Sequence, residues 1–151
     1  SGMAANTHCN REDIEEARTI LEAMGKVIEV PEVQLDALTA MSGSGPAYFF
    51  YFIEAMIEAG VRMGFSPETS NRLAVETAAG AVKMLQSLQD APRELRRKVT
   101  SPGGTTEAAV TCFDADNLQE IFIQGILAAE KRSKGIERGL NPLNKHRGFL
   151  P

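Results

Sequence analysis

At 151 residues and 16.4 kDa, with 43% apolar and 24% charged residues, the chain is long enough for one domain with a real core. A net charge of −4 gives no general reason to expect nucleic acid or an anionic membrane as partner. No apolar run reaches membrane-spanning length and no secretory pattern opens the chain, so the expected location is the cytoplasm.

The residues that most often carry metal or nucleophilic chemistry are scarce. Cys9 and Cys112 lie far apart and lack metal-ligand spacing, which suits a reducing compartment better than a disulfide framework. His8 and His146 sit near the two ends, so neither a histidine metal site nor a Ser-His-Asp triad is expected.

Ser1-Gly2 reads as a cloning remnant at the head of an N-terminal tail, residues 1–9. Asn10 is placed to cap a helix with Glu12 and Asp13 in its first turn. Ile14, Ala17, Ile20, Leu21 and Met24 follow at helical spacing and Gly25 fits the stop. Lys26-Val27-Ile28-Glu29-Val30 reads as one short strand closed by Pro31. A lone strand needs a partner, and none is evident elsewhere in the chain. Residues 10–31 therefore look like the last helix–strand unit of a larger α/β domain.

From about residue 33 the pattern is helical. A short helix over 34–41 leads into Ser42-Gly43-Ser44-Gly45-Pro46, which reads as a flexible hinge with proline in the next first turn. The helix from Pro46 to Met63 is apolar almost all round, with Glu54, Glu58 and Arg62 as a single charged stripe. Such a helix belongs in the middle of an assembly larger than this chain, which argues for a partner copy. Ser66-Pro67 starts the next helix, to about Leu88, and its Ala78-Ala79-Gly80-Ala81 marks a tight crossing, within the chain or across a dimer axis. A basic helix over 92–99, a helix from Thr105 to about Phe113, and a last helix capped by Asp116 or Asn117 complete the set. Beyond Lys134, residues 136–151 lack periodicity and read as a poorly packed tail.

Three segments could carry function. Ser101-Pro102-Gly103-Gly104-Thr105-Thr106-Glu107 places two glycines ahead of a helix start, where unpaired amides and the helix dipole favour an anion. Its plainer reading is a glycine turn followed by a threonine N-cap. The Ser42–Tyr48 segment either lines a cleft or joins two helices. The run Arg93, Arg96, Arg97, Lys98 either raises the local positive potential or is a solvated face, and Glu54, Glu58, Arg62 fits an exposed ion-pair row. No dinucleotide fingerprint, phosphate-binding loop or metal cluster is present. On residues alone, this is an all-helical, dimeric domain that binds a small anion.

The motifs Ser42-Gly43-Ser44-Gly45-Pro46-Ala47-Tyr48-Phe49, Glu54-Ala55-Met56, Lys83-Met84, and Val99 followed by Ser101-Pro102-Gly103-Gly104-Thr105-Thr106 resemble, in this order, pyrroline-5-carboxylate reductase. The similarity runs from about Met3 to about Lys134. It implies an all-α, interlocked helical dimerisation and substrate domain over 32–135, preceded at 10–31 by a helix–strand remnant of a Rossmann domain. It also implies an enzyme that reduces the cyclic imine 1-pyrroline-5-carboxylate to L-proline, the last step of proline biosynthesis, with NADPH or NADH.

By the same resemblance, Gly103, Gly104, Thr105 and Thr106 hold the substrate carboxylate and Val99 borders the ring. Ser44 joins the substrate-binding set. Thr106 is the catalytic candidate, its hydroxyl facing the ring nitrogen to orient and relay a proton. A homodimer through the helical domain is implied, with higher oligomers left open. The glycine-rich dinucleotide fingerprint is missing, so no cofactor-binding residue is expected in this chain, no metal site either, and the chain alone is expected to be inactive. The alternative is a stand-alone helical module that dimerises or binds a small carboxylate without catalysis.

Overall fold

The computed structural model describes residues 1–140, with side chains to residue 136. It divides into two compact units, Ser1–Gly45 with the chain from Gln124 onward, and Pro46–Ile123.

The first unit opens with β1 (Gly2–Met3), α1 (Arg11–Glu22) and β2 (Ile28–Glu29). The Asn10 side chain accepts the amides of Glu12 at 2.7 Å and Asp13 at 3.0 Å, and the Asp13 carboxylate accepts the Asn10 amide at 2.9 Å. This reciprocal capping box satisfies the helix start and contributes about 1 kcal/mol. The strand expectation needs correcting. β2 has a partner within the chain, because β1 pairs with it in parallel, Gly2 opposite Ile28 and Met3 opposite Glu29. Ser1 takes part as well, its carbonyl accepting the Ile28 amide at 2.9 Å. Any extended neighbour can satisfy an open edge, and the N-terminal residues supply one. A two-residue pairing is nevertheless a small sheet.

After a 3-10 turn (Glu32–Gln34) and α2 (Leu35–Leu38), the chain forms a π-helical turn (Thr39–Gly43). The Ser44 amide donates to the Thr39 carbonyl at 2.9 Å, and the Thr39 hydroxyl donates to the Leu35 carbonyl at 2.9 Å. The segment expected to be a flexible hinge is thus hydrogen-bonded through most of its length. Widening the turn keeps backbone groups paired, and the buried Ala40 anchors it.

The second unit is built on α3 (Gly45–Arg62), α4 (Pro67–Ser87), α5 (Pro92–Lys98), α6 (Thr105–Ala115) and the start of α7 (Leu118–Leu140). Ser66 caps α4 as its spacing suggests, its hydroxyl accepting the Thr69 amide at 3.2 Å. Of the two capping candidates for α7, Asp116 ends α6, and Asn117 precedes α7 with its carbonyl accepting the Ile121 amide. α7 runs past the expected end near Lys134, so residues 136–140 are helical. The rest of the expected tail lies outside the described residues.

The close approach of helices within this unit is not where the alanine-rich cluster suggests. A Cβ built on Gly80 would meet nothing within 4 Å, whereas one on Gly60 would lie 2.6 Å from Ser70 Oγ and 2.9 Å from its Cβ. α3 and α4 touch there, and Ser70 is 2% exposed with no hydrogen-bond partner for its hydroxyl among the described residues. Phe122 at the start of α7 packs its ring against Tyr48 at 5.9 Å and Phe52 at 5.2 Å on α3, geometries favoured by aromatic quadrupoles. Elsewhere α3 stays open: Phe49, Phe50 and Tyr51 are 63%, 62% and 73% exposed.

Two outcomes follow from this packing. Gly60→Val should lower the urea-unfolding free energy by about 1–3 kcal/mol at fixed protein concentration, because the added atoms strike Ser70. Glu68, in the first turn of α4, has its carboxyl held below the usual glutamate range by a hydrogen bond to its own backbone amide and then by the Ser66 hydroxyl. A depressed folded pKa stabilises above the unfolded value and is lost as the pH falls through the folded one. Carbon-detected titration should therefore place the Glu68 midpoint below that of an unfolded control, and Glu68→Gln should soften the acid limb of unfolding.

Candidate functional site

The loop between α5 and α6 is shaped by its two glycines. Gly103 has φ +72°, the left-handed region that side chains disfavour. A Cβ on Gly104 would lie 2.5 Å from Ser101 Oγ and 3.0 Å from the Ser101 carbonyl oxygen, so that position has room only for hydrogen. The Gly104 amide donates to the Ser101 carbonyl at 3.0 Å and closes the turn.

α6 then begins with Gly104 as its N-cap, in extended conformation and without a side-chain cap. This corrects the threonine-cap reading. With Ser101 folded against it, Gly104 takes the cap position and Thr105 and Thr106 become the first two helical residues. The first intrahelical bond runs from the Ala108 amide to the Gly104 carbonyl, so the amides of Thr105, Thr106 and Glu107 lie ahead of the ladder. Together with the dipole of an eleven-residue helix, they form a place where a carboxylate is favoured by roughly 0.3–1 kcal/mol.

Sequence reasoning did not single out Glu107. Its carboxylate accepts the Gly103 amide at 2.7 Å, bending back over the turn from the third helical position. The available signal was an acidic residue three places after a helix cap, the capping-box spacing.

Thr106 is half-buried, and its hydroxyl has no hydrogen-bond partner among the described residues, while Thr105 is exposed. Val99 ends α5, 57% exposed. It borders an open cleft of about 320 Å³ between α4 and α5, with Met84, Leu85 and Leu95 on its walls. The structure thus brings Val99, Gly103, Gly104, Thr105 and Thr106 onto one α5–loop–α6 segment. Ser44 belongs to the first unit, where its amide closes the π-helical turn.

The basic run is only partly free. Arg97 pairs with Glu94 at 3.0 Å and Lys98 with Asp90 at 2.7 Å, both exposed contacts of small energetic weight. Glu58 and Arg62 pair at 2.8 Å on the exposed stripe of α3, as its spacing suggests.

Among the described residues no three His, Cys, Asp or Glu side chains cluster to hold a metal ion, and no helix is long and apolar enough to cross a membrane. Among the described residues no glycine-rich turn leads from a strand into a helix start, and the strands there are the two-residue pair β1–β2.

Residues 32–136 match the family model for pyrroline-5-carboxylate reductase dimerisation. The chain is 46% identical over 134 residues to a pyrroline-5-carboxylate reductase of Pseudomonas aeruginosa, covering 88% of this chain and 49% of that protein. It is 40% identical over 137 residues to pyrroline-5-carboxylate reductase 2 of Bacillus subtilis, covering 91% and 49%. The chain thus spans about half the length of the curated relatives it matches. Among solved structures, the Plasmodium falciparum pyrroline carboxylate reductase with NADP bound superposes with a TM-score of 0.83 at 31% identity, covering 89% of this chain and 55% of that one. The Coxiella burnetii pyrroline-5-carboxylate reductase gives 0.82 at 40% identity, covering 89% and 50%. With residues 32–136 matched and the fold shared with solved relatives, this chain belongs to the pyrroline-5-carboxylate reductase dimerisation family.

Proposed function

We propose that this chain is the dimerisation and substrate-binding part of an enzyme that reduces 1-pyrroline-5-carboxylate to L-proline with NADPH or NADH, in the cytoplasm. The observation that carries the reading is the α5–α6 loop, lying inside the matched span with its amides ahead of the helix ladder. The substrate carboxylate sits on the Thr105 and Thr106 amides, since those of Gly103 and Gly104 are bonded within the chain. Val99 lies against the ring. The reduction draws its hydride from a nicotinamide cofactor that the described residues do not hold, so the chain alone is inactive.

Thr106 has one chemical task in this scheme. Its hydroxyl is far too weak an acid to drive protonation. Thr106 Oγ1 instead orients the imine nitrogen and passes it a proton taken from water. That interaction strengthens as the nitrogen gains electron density, so it belongs to the transition state more than to the bound substrate.

The second element of the proposal is a homodimer. Phe49, Phe50, Tyr51, Met63 and Phe113 are each more than half exposed in the single chain. Covering what these five still expose is worth roughly 5–10 kcal/mol, against an association cost of about 4–15 kcal/mol. Gly80, open in the single chain, supplies a close-approach point for a second copy.

In the full-length enzyme, Thr106→Ala should lower kcat at least tenfold while changing KM little, the pattern for loss of a transition-state contact. Wild-type kinetics would remove Thr106 from the mechanism. Sedimentation over a dilution series should give twice the chain mass, and Gly80→Leu should shift the balance toward monomer. A stable, soluble monomer at all concentrations overturns the dimer.

A further inference from the structure

The Glu107 carboxylate is a negative charge held within the loop proposed to receive the substrate's own carboxylate. Two roles are open to such a group. It could compete with the ligand, or it could brace the backbone that binds it. The geometry favours the brace. Gly103 stands in the left-handed region at φ +72°, and its amide is fixed by a charge-assisted bond of 2.7 Å. On the other side of the turn, the Gly104 amide is fixed by Ser101, whose side chain also excludes any Cβ from position 104. Both glycine amides are therefore consumed in shaping the loop. The amides of Thr105, Thr106 and Glu107 remain ahead of the first helical bond.

Resting on the carboxylate-loop reading above, we infer that Glu107 is a positioning residue: its carboxylate pins the Gly103 amide and so presents the Thr105 and Thr106 amides to the substrate carboxylate. Glu107 does not contact the reacting atoms. Its contribution is preorganisation, since a loop already held in its binding shape loses less conformational freedom when the ligand arrives. The requirement at position 107 is then an acceptor oxygen of the right reach, and the charge is secondary. Glutamine keeps that oxygen and alanine does not.

The test uses the full 151-residue chain with amide hydrogen exchange at Gly103 and L-proline as the probe. In Glu107→Ala, Gly103 exchange should quicken about tenfold and the apparent Kd for proline should rise about tenfold, the worth of one charge-assisted hydrogen bond. Glu107→Gln should recover most of both losses, staying within roughly threefold of wild type because a neutral acceptor is about half as strong. Unchanged exchange in the amides of α4 certifies that each variant is folded.

Gly103 exchange that ignores the alanine change overturns the inference, as does a glutamine variant no better than alanine. Tighter proline binding in either variant identifies Glu107 as a competitor and also overturns it. A proline response indifferent to Glu107 sinks this inference alone. Absence of any proline response in the wild type sinks the carboxylate-loop reading, and the positioning role falls with it.

Discussion

The organising constraint is that the second unit carries more apolar side chain than it can cover by itself. α3 presents aromatic residues in succession from Tyr48 to Phe52, and among the described residues Tyr48 and Phe52 find an aromatic partner in Phe122. A helix of eighteen residues with charges confined to one stripe cannot turn all its other faces inward against a handful of neighbours. The helices are regular because their backbone ladders are formed. They are not self-sufficient, because the apolar surface that would hold them together faces away from the chain. Membership in a dimerisation family accounts for that excess.

Against that background the α5–α6 loop is locally self-contained. Its shape follows from a left-handed glycine, a glycine with no room for a Cβ, and a side chain reaching back from the first turn of α6. None of these depends on burial. The loop can therefore keep its form on a surface where large residues remain uncovered. A loop whose shape comes from short-range bonds tolerates motion around it better than one assembled from distant side chains.

Much of this was legible in the sequence, and the portions that were not share a cause. Asn10 and Ser66-Pro67 announce helix starts because the capping chemistry is local and residue-specific. The glycine loop is legible for the same reason. The pairing of β2 with Gly2–Met3 was not, since two residues carry no periodicity. The π-helical turn at 39–43 was missed because serine and glycine read equally well as a hinge. The contact of Gly60 with Ser70 crosses between helices, where no spacing rule applies, and the alanine-rich stretch around Gly80 makes no close contact within the single chain. Glu107 was overlooked for a subtler reason. Exposed acids in a first helical turn are common, and only the reach of this one to Gly103 sets it apart.

The Gly60–Ser70 contact also bears on how relatives of this chain can diverge. Ser70 is buried with a hydroxyl unpaired among the described residues, so trimming it to alanine removes a desolvated polar atom, yet its Cβ would still crowd any side chain at position 60. Position 60 therefore cannot gain a side chain unless position 70 or the helix spacing changes with it. A relative with alanine at the position of Gly60 needs glycine at that of Ser70 or a wider separation of the two helices. Drift at position 60 alone is filtered out, and covariation of this pair across the family would be the evolutionary trace of a single interhelical gap.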